Sequence, residues 1–402
     1  MKPFGIVLAS LLGAFALGTA ATLLTSSATR WDFNLRLAEV DCVKRGVDPF
    51  LVWNETTVLK PYYSNNPNRK LIPEGCTRQI SVYVPWEYGL ALPLSFVSAD
   101  VAWWAFTVFS FALMVFVAVV GARRLFWLAP VPILIVAHPI WSNFQVGNYA
   151  VLVLAAAIGV ATCLDRGMNI AAGLCWMLVM IKPQIGIPFA IPLLMRMRIV
   201  AGVSAAAACL VLSIPAILLC HPDLPEFFVE ASQASAFAFE GCGTWPKFLC
   251  GRLGDGVDIG IGLAIGAALC IWMTWLLRRE RDWLVYLMPA AVCGSCWTYT
   301  QAYSHAMGWF LVYAIVARLV ENPRSRFLWA LLAVSVPVVS RAFLAWHGFC
   351  AFFGIGFPMS EYAFRCVDSL NSTATLAIAA AFCIWRSRAR SDGASDGLIP
   401  AH

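Results

Sequence analysis

Long apolar runs separated by short polar connections dominate this chain. Apolar windows fall at 4–25, 99–121, 125–139, 146–164, 168–181, 184–195, 199–219, 257–277, 283–299, 303–319, 327–346 and 367–385. Each approaches or reaches the roughly 20 residues that a helix needs to cross a hydrocarbon core of about 30 Å. The pattern predicts an all-α integral membrane protein of about 12 transmembrane helices in a single domain, residues 1–385.

Composition agrees with that class. The chain is 60% apolar and 12% charged, against about 45–50% and about 25% in soluble domains, and its mean hydropathy is +0.75. With Lys2 placed inside and sides alternating, Arg123, Arg124, Arg166, Arg196, Arg198, Arg278, Arg279, Arg281, Arg318, Arg324, Arg326, Arg386, Arg388 and Arg390 all fall inside, as the positive-inside rule requires. Two long polar connections, 26–98 and 220–256, and the shorter 347–366 then face outward, and both termini face inward. The tail 386–402, rich in Arg, Ser and Gly, is expected to be a disordered cytoplasmic segment. The first apolar run has the features of a cleaved signal peptide as well as of a retained helix; with so many spans after it, the retained helix is the reading adopted.

The net charge of +6 does not point to nucleic acid. The basic residues are scattered at inner helix ends, where they fix topology and meet anionic membrane lipid. Of the 14 cysteines, those at 163, 175, 209, 270, 293, 296 and 383 fall in the membrane or its inner half, as small buried hydrophobes. Seven face outward, and Cys42 with Cys76, Cys242 with Cys250, and Cys350 with Cys366 are candidate disulfides, with reduced thiols as the alternative. No Cys/His cluster has metal-site spacing, and neither a glycine-rich phosphate loop nor a GxSxG elbow is present. No cofactor is therefore expected.

The first outer loop carries the densest information. From Phe33 to Gly46, apolar Phe33, Leu37, Val40 and Val43 recur at helical spacing against Asn34, Arg36, Glu39, Asp41, Lys44 and Arg45. This predicts an amphipathic helix lying at the membrane interface, stopped at Gly46 before the turn Asp48-Pro49. The chain returns through the aromatic stretch 82–96, which Pro85 and Pro93 break and which is too short to span; a second interfacial or re-entrant helix is predicted there.

The motifs, in order, are Asp32-Phe33 after the first span, Gly46-x-Asp48-Pro49-Phe50, the Tyr/Pro-rich return segment, Gly147-Asn148 before the fourth span, Ile181-Lys182-Pro183 before the sixth, and Tyr303-Ser304-His305 before the tenth. This order resembles glycosyltransferase family 87, a branch of the GT-C superfamily that uses polyprenyl-phosphate sugars such as polyprenyl-phosphate mannose. The resemblance covers most of the chain up to about residue 320. It departs at Val84-Pro85-Trp86 and at Gly147-Asn148-Tyr149-Ala150, where the family tends to show Tyr-Pro-Pro and Gly-Gln-x-Asn. It implies a GT-C-like bundle in a bacterial cytoplasmic membrane, with its active site toward the periplasm or exterior. The implied reaction moves mannose or a related sugar from a polyprenyl-phosphate donor to a glycan or glycolipid acceptor.

Elementary chemistry adds residues to that outline. A transferase on the outer face needs a donor delivered on lipid, a base for the acceptor hydroxyl and a cation for the leaving phosphate. Asp32 fits the base, a role worth about 10²- to 10⁴-fold in rate, and the family places its catalytic acid at the corresponding point; capping the helix that follows is the alternative. Lys182 is a cation between apolar segments at the outer end, where it costs energy unless paired. A lipid phosphate would pair it, and snorkelling to the interface is the alternative. His305 falls at an outer helix end and could donate to phosphate or to a sugar hydroxyl. Gln145 and Asn148 offer amides for sugar hydroxyls, Tyr303 and Ser304 offer hydroxyls beside His305, and Trp86 could stack on a sugar ring, although Trp is common at any membrane interface. The reading from another class is a transporter or flippase of a lipid-linked sugar, which calls for symmetric halves with paired broken helices and midplane charges. The sequence shows no internal repeat and essentially no charge within a span.

Overall fold

A computed structural model describes residues 30–46, 84–125, 144, 146–220, 255–296, 302–340 and 361–395. The predicted spans 4–25 and 125–139, and most of the three outer connections, lie outside these residues. So do the turn at Asp48-Pro49, Gln145, Cys76, Cys242, Cys250 and Cys350, together with the side chains of Cys366, Tyr303 and Ser304. The described residues are all-helical, with no strand among them.

Among the described residues, two helices are long and apolar enough to cross a membrane: α3, Ala99–Leu125, over its stretch Ala99–Val117, and α8, Ile199–Cys220. Before them come α1, Trp31–Lys44, and α2, Pro85–Ala91. Between them lie α4, Ala150–Asp165, α5, Asn169–Val179, and the short pieces α6, Pro183–Gly186, and α7, Ala190–Met195. After them follow α9, Asp255–Leu276, α10, Trp283–Tyr286, α11, Met288–Cys296, α12, Trp309–Glu321, α13, Arg326–Ser340, and α14, Glu361–Ser395. A 3₁₀ turn, Ala302–Gly308, leads into α12.

Helices α3, α4, α5, α8 and α2 pack in that order, each on the next except α3 and α2 at the ends, while α11 lies against α9, α14, α6 and the 302–308 turn. Large apolar side chains remain exposed along one face of α3 (Val101, Trp104, Val108, Phe109, Val115) and of α8 (Val203, Leu210, Val211, Leu218). Continuous apolar surface of this extent is not stable in water; it suits helices solvated by lipid.

Not every predicted span is one straight helix. The window 168–181 holds the 11 residues of α5, roughly 16 Å at 1.5 Å per residue, about half a hydrocarbon thickness. The window 184–195 is two short helices joined by a 3₁₀ turn, Ile187–Phe189. Pro183, Pro188 and Pro192 lack backbone donors and break the ladder. Trp176 Nε1 takes up a carbonyl released there, donating to Gly186 O at 2.8 Å; irregular backbone is tolerated at membrane depth where protein surrounds it.

One further expectation changes. The helix of the first loop is present and stops at Gly46, which has φ +72°, but only the end of its polar stripe, Lys44 and Arg45, is exposed. Asn34, Arg36 and Glu39 are buried, Arg36 pairs with Glu39, and the helix packs on α2, α3 and α8. Along the first part of the helix, charged and apolar residues alike face protein. The last helix, α14, extends to Ser395, and Arg386 on it reaches back to Glu280 at 3.0 Å.

That contact belongs to one end of the molecule. Glu280, buried in the turn after α9, accepts from Arg386 and Arg318, and Arg196 donates to its carbonyl. Arg198 lies over Trp283, whose backbone N–H meets Asp165. The turns after α4, α7, α9 and α12 therefore gather at a basic end. By alternation along each helix, Asn148 at the start of α4, Lys182 after α5 and the 302–308 turn belong to the other.

Candidate active site

At that second end α1 begins one residue after Arg30, whose side chain makes no cap. Asp32 is the second residue of the helix and is not its N-cap, which overturns the capping alternative. Phe33 beside it anchors the turn: its ring lies 5.3 Å from those of Trp103 and Phe106 on α3. Against this anchor presses the turn Gly147–Asn148–Tyr149. Gly147 has φ +75°, and a Cβ there would come within 2.4 Å of Phe33 Cβ and 2.8 Å of the Trp103 ring. Only glycine fits such a position without strain.

That close approach puts Asn148 onto the acid. Its Nδ2 donates to Asp32 Oδ2 at 2.5 Å, so the amide expected to meet a sugar hydroxyl spends its donor on the carboxylate. Asn148 itself is buried. Tyr149 packs edge-on to Phe106 at 5.9 Å.

Lys182 lies in the connection between α5 and α6, outside the helices. Its N–H bonds to Val179 O at 3.1 Å, and its carbonyl accepts from Ile185 and Gly186, both at 2.8 Å. The side chain is buried, only 3% exposed, which does not fit snorkelling to the interface. Burial pushes its ammonium down to about 7, the charge of Asp32 opposes that fall, and Arg36 adds to it. Lys182 and Asp32 thus come within electrostatic range of each other although 150 residues separate them in the sequence.

Two charged neighbours in this pocket escape a sequence reading. Glu87 on α2 is 1% exposed. Burial pushes its carboxyl up to about 7, Arg36 and the nearby Tyr149 hydroxyl oppose the rise, and Asp32 adds to it; both its oxygens are buried without a hydrogen-bond partner. Arg36, read from sequence as part of a polar stripe, lies within electrostatic range of both Glu87 and Lys182. A usable signal existed for Glu87: it is the lone charged residue in the apolar stretch 79–99, and such residues in membrane segments are functional by default.

The remaining candidates are placed as follows. Trp86 Nε1 donates to Met180 O at 3.1 Å, tying α2 to the Lys182 connection. His305 is buried in its 3₁₀ turn, with Nδ1 3.8 Å from Cys296 Sγ on α11. That helix meets the Lys182 region directly, since a Cβ on Gly294 would lie 2.9 Å from Ile185 Cα. His305 therefore stands behind the pocket, across α11, while Asp32, Asn148, Lys182, Arg36 and Glu87 form its charged heart. Cys42 is buried in α1; each proposed disulfide has at least one side chain outside the described residues.

A carboxylate with a fixed hydrogen bond, a buried cation and little water make a site that can take a proton and hold an anion. Low effective dielectric strengthens both interactions relative to water. The model of glycosyltransferase family 87 matches residues 82–297, just over half of the chain. The matched range includes Glu87, Asn148 and Lys182 and leaves out Asp32 and His305. No curated protein and no solved structure matches.

Proposed function

Because the chain belongs to glycosyltransferase family 87, we propose that it transfers a sugar, mannose or a related hexose or pentose, from a polyprenyl-phosphate donor to a glycan or glycolipid acceptor. The single observation that supports this reading is half-buried Asp32 held by the buried Asn148 amide, with buried Lys182 within its electrostatic range. Asp32 removes the acceptor proton as the hydroxyl oxygen attacks the anomeric carbon. The bond from that carbon to the phosphate oxygen breaks, and the polyprenyl phosphate leaves carrying the electron pair. Lys182 neutralises the charge growing on that phosphate, with His305 supporting it from behind α11. Asn148 orients the carboxylate.

The location follows from the same chemistry. The enzyme sits in a bacterial cytoplasmic membrane with the Asp32 end toward the periplasm or exterior, where a lipid-borne donor replaces nucleotide sugars. GT-C type and dependence on a polyprenyl carrier are part of this proposal.

The test uses the full chain in lipid nanodiscs with a panel of polyprenyl-phosphate sugars and a membrane glycolipid extract as acceptor. Wild type is expected to transfer label, and Asp32→Asn to lower turnover by about 10²- to 10⁴-fold with donor binding kept. Normal turnover in a folded Asp32→Asn protein removes the assignment of the base. Movement of the labelled lipid across the bilayer without transfer would replace the enzyme by a flippase.

A further inference from the structure

Behind the pocket a short run of polar contacts ends on His305. Cys296 Sγ on α11 lies 3.8 Å from His305 Nδ1 and 3.6 Å from Ser295 Oγ, and the Ser295 hydroxyl donates to Val292 O at 3.2 Å. All three side chains are buried. The end of α11 touches both the 302–308 turn that carries His305 and the piece that follows Lys182; a Cβ on Gly294 would lie 2.9 Å from Ile185 Cα and 3.2 Å from Gln184 O. From this geometry we infer that Cys296, backed by Ser295, is a positioning residue for His305: it keeps a proton on Nδ1, so that His305 donates from Nε2 only as the imidazolium and meets the leaving phosphate as a second cation in addition to Lys182. The phosphate in this inference rests on the transferase reading; the proton position does not.

The order of the protons follows from the far end of the run. A carbonyl only accepts, so the Ser295 proton goes to Val292 O, and toward Cys296 the Ser295 oxygen can then only accept. The thiol proton satisfies it. Cys296 Sγ is left to accept, and the hydrogen on its other side belongs to His305 Nδ1. The reverse order, with the thiol donating to Nδ1, leaves the contact between Ser295 and Cys296 without a hydrogen. It would also have to break whenever the ring is charged, because both nitrogens of an imidazolium donate. The first order serves the neutral and the charged ring alike. Sulfur is a weak acceptor, and burial strengthens the bond by lowering the local dielectric; the bond made by one ring nitrogen decides where a neutral imidazole carries its proton. The elements packed on the 302–308 turn are α4, α11, α12 and α13. On α4, α12 and α13 the ionisable residues Cys163, Asp165, Tyr313, Arg318, Glu321 and Arg326 all stand toward the basic end, which leaves the α11 thiols Cys293 and Cys296 as the ionisable groups that these elements set near the ring.

Nitrogen NMR of the unliganded protein in lipid nanodiscs, isotope-labelled at its five histidines, tests the proton position without a substrate; subtracting the His305→Gln spectrum isolates the ring. With the ring neutral, wild type is expected to carry its proton on Nδ1. Cys296→Ala removes the acceptor and should move the proton to Nε2. Cys296→Ser, whose hydroxyl accepts and donates as the thiol does, should keep it on Nδ1; a merely structural role for Cys296 would not move it in either variant. A wild-type proton on Nε2, or a proton that stays on Nδ1 in Cys296→Ala, overturns the inference, and where the variants do not fold the wild-type spectrum decides alone. The same nanodiscs, given a polyprenyl-phosphate sugar and acceptor, test the purpose. Lys182, pushed down to about 7 by burial, loses its charge in both proteins as the pH rises, so the difference between their profiles reads His305. The wild-type rate is expected to fall more steeply with rising pH than that of Cys296→Ala, whose neutral ring still donates from Nε2; parallel profiles overturn the cation role. Absence of transfer at every pH would sink the transferase reading while leaving the proton position standing, so the two failures are distinguishable.

Discussion

Asn148 shows how much depends on one amide. A hydrogen bond to a charged group is worth about 1.5–3 kcal/mol, and here it holds the Asp32 carboxylate, the proposed base, in one orientation. Asn148→Ala is expected to lower single-turnover transfer by about 10- to 100-fold, taking about 1.4 kcal/mol per decade, with donor affinity little affected because Lys182 is untouched. A wild-type rate in the variant would mean that Asp32 is oriented by other groups. Asp32, Lys182 and Asn148 were all legible as candidates, because polar residues flanking apolar runs are conspicuous in a chain so poor in charge. Glu87 and Arg36 were not. Arg36 fits the polar stripe of an amphipathic helix, and Glu87 sits in an aromatic segment whose turn proline drew the reading toward backbone geometry. Periodicity identifies a polar stripe but not whether water or protein lies against it.

At the scale of elements, α2 is only seven residues long, yet it carries Trp86 and Glu87 and must be held firmly. Gly89 allows this. A Cβ there would lie 1.8 Å from the backbone oxygen of Leu212 on α8, a contact that no side-chain rotation can relieve. Gly89→Ala is expected to force the two helices apart, costing about 1–3 kcal/mol or more and displacing Trp86 from Met180. Thermal unfolding in detergent should show the loss of stability, and transfer should fall with it; an unaltered melting temperature would show that α2 can shift freely. Long unbroken helices such as α3 and α8 were legible, because an apolar run of sufficient length has few other solutions. The short, broken character of the region around Lys182 was legible, because Pro183, Pro188 and Pro192 stand in the sequence itself and cannot continue a backbone ladder. What was not legible is where each piece starts and stops, since the contact from Trp176 to Gly186 exists only after folding.

Across the whole molecule, charge is sorted between two ends that do different work. One end gathers Arg196, Arg198, Arg318 and Arg386 around the buried Glu280 and the aromatic rings of Trp283 and Tyr286. The other holds the enclosed cluster of Asp32, Arg36, Glu87 and Lys182. The contacts made by these arginines group the turns after α4, α7, α9 and α12 independently of any hydropathy window, and they agree with the side that the positive-inside rule assigns to the cytoplasm. Under the proposed orientation the candidate site faces outward, toward the lipid-borne donors proposed for it. Arg45, exposed just after α1, and Arg324, exposed between α12 and α13, mark the two ends at described positions. An impermeant thiol reagent applied to intact spheroplasts is expected to label Arg45→Cys above the background of the native thiols, and to label Arg324→Cys only after permeabilisation. The reverse pattern would turn the site toward the cytoplasm, where nucleotide sugars are available and the argument for a lipid-borne donor loses its force. Equal labelling of both would remove the two-ended arrangement on which the transferase reading depends.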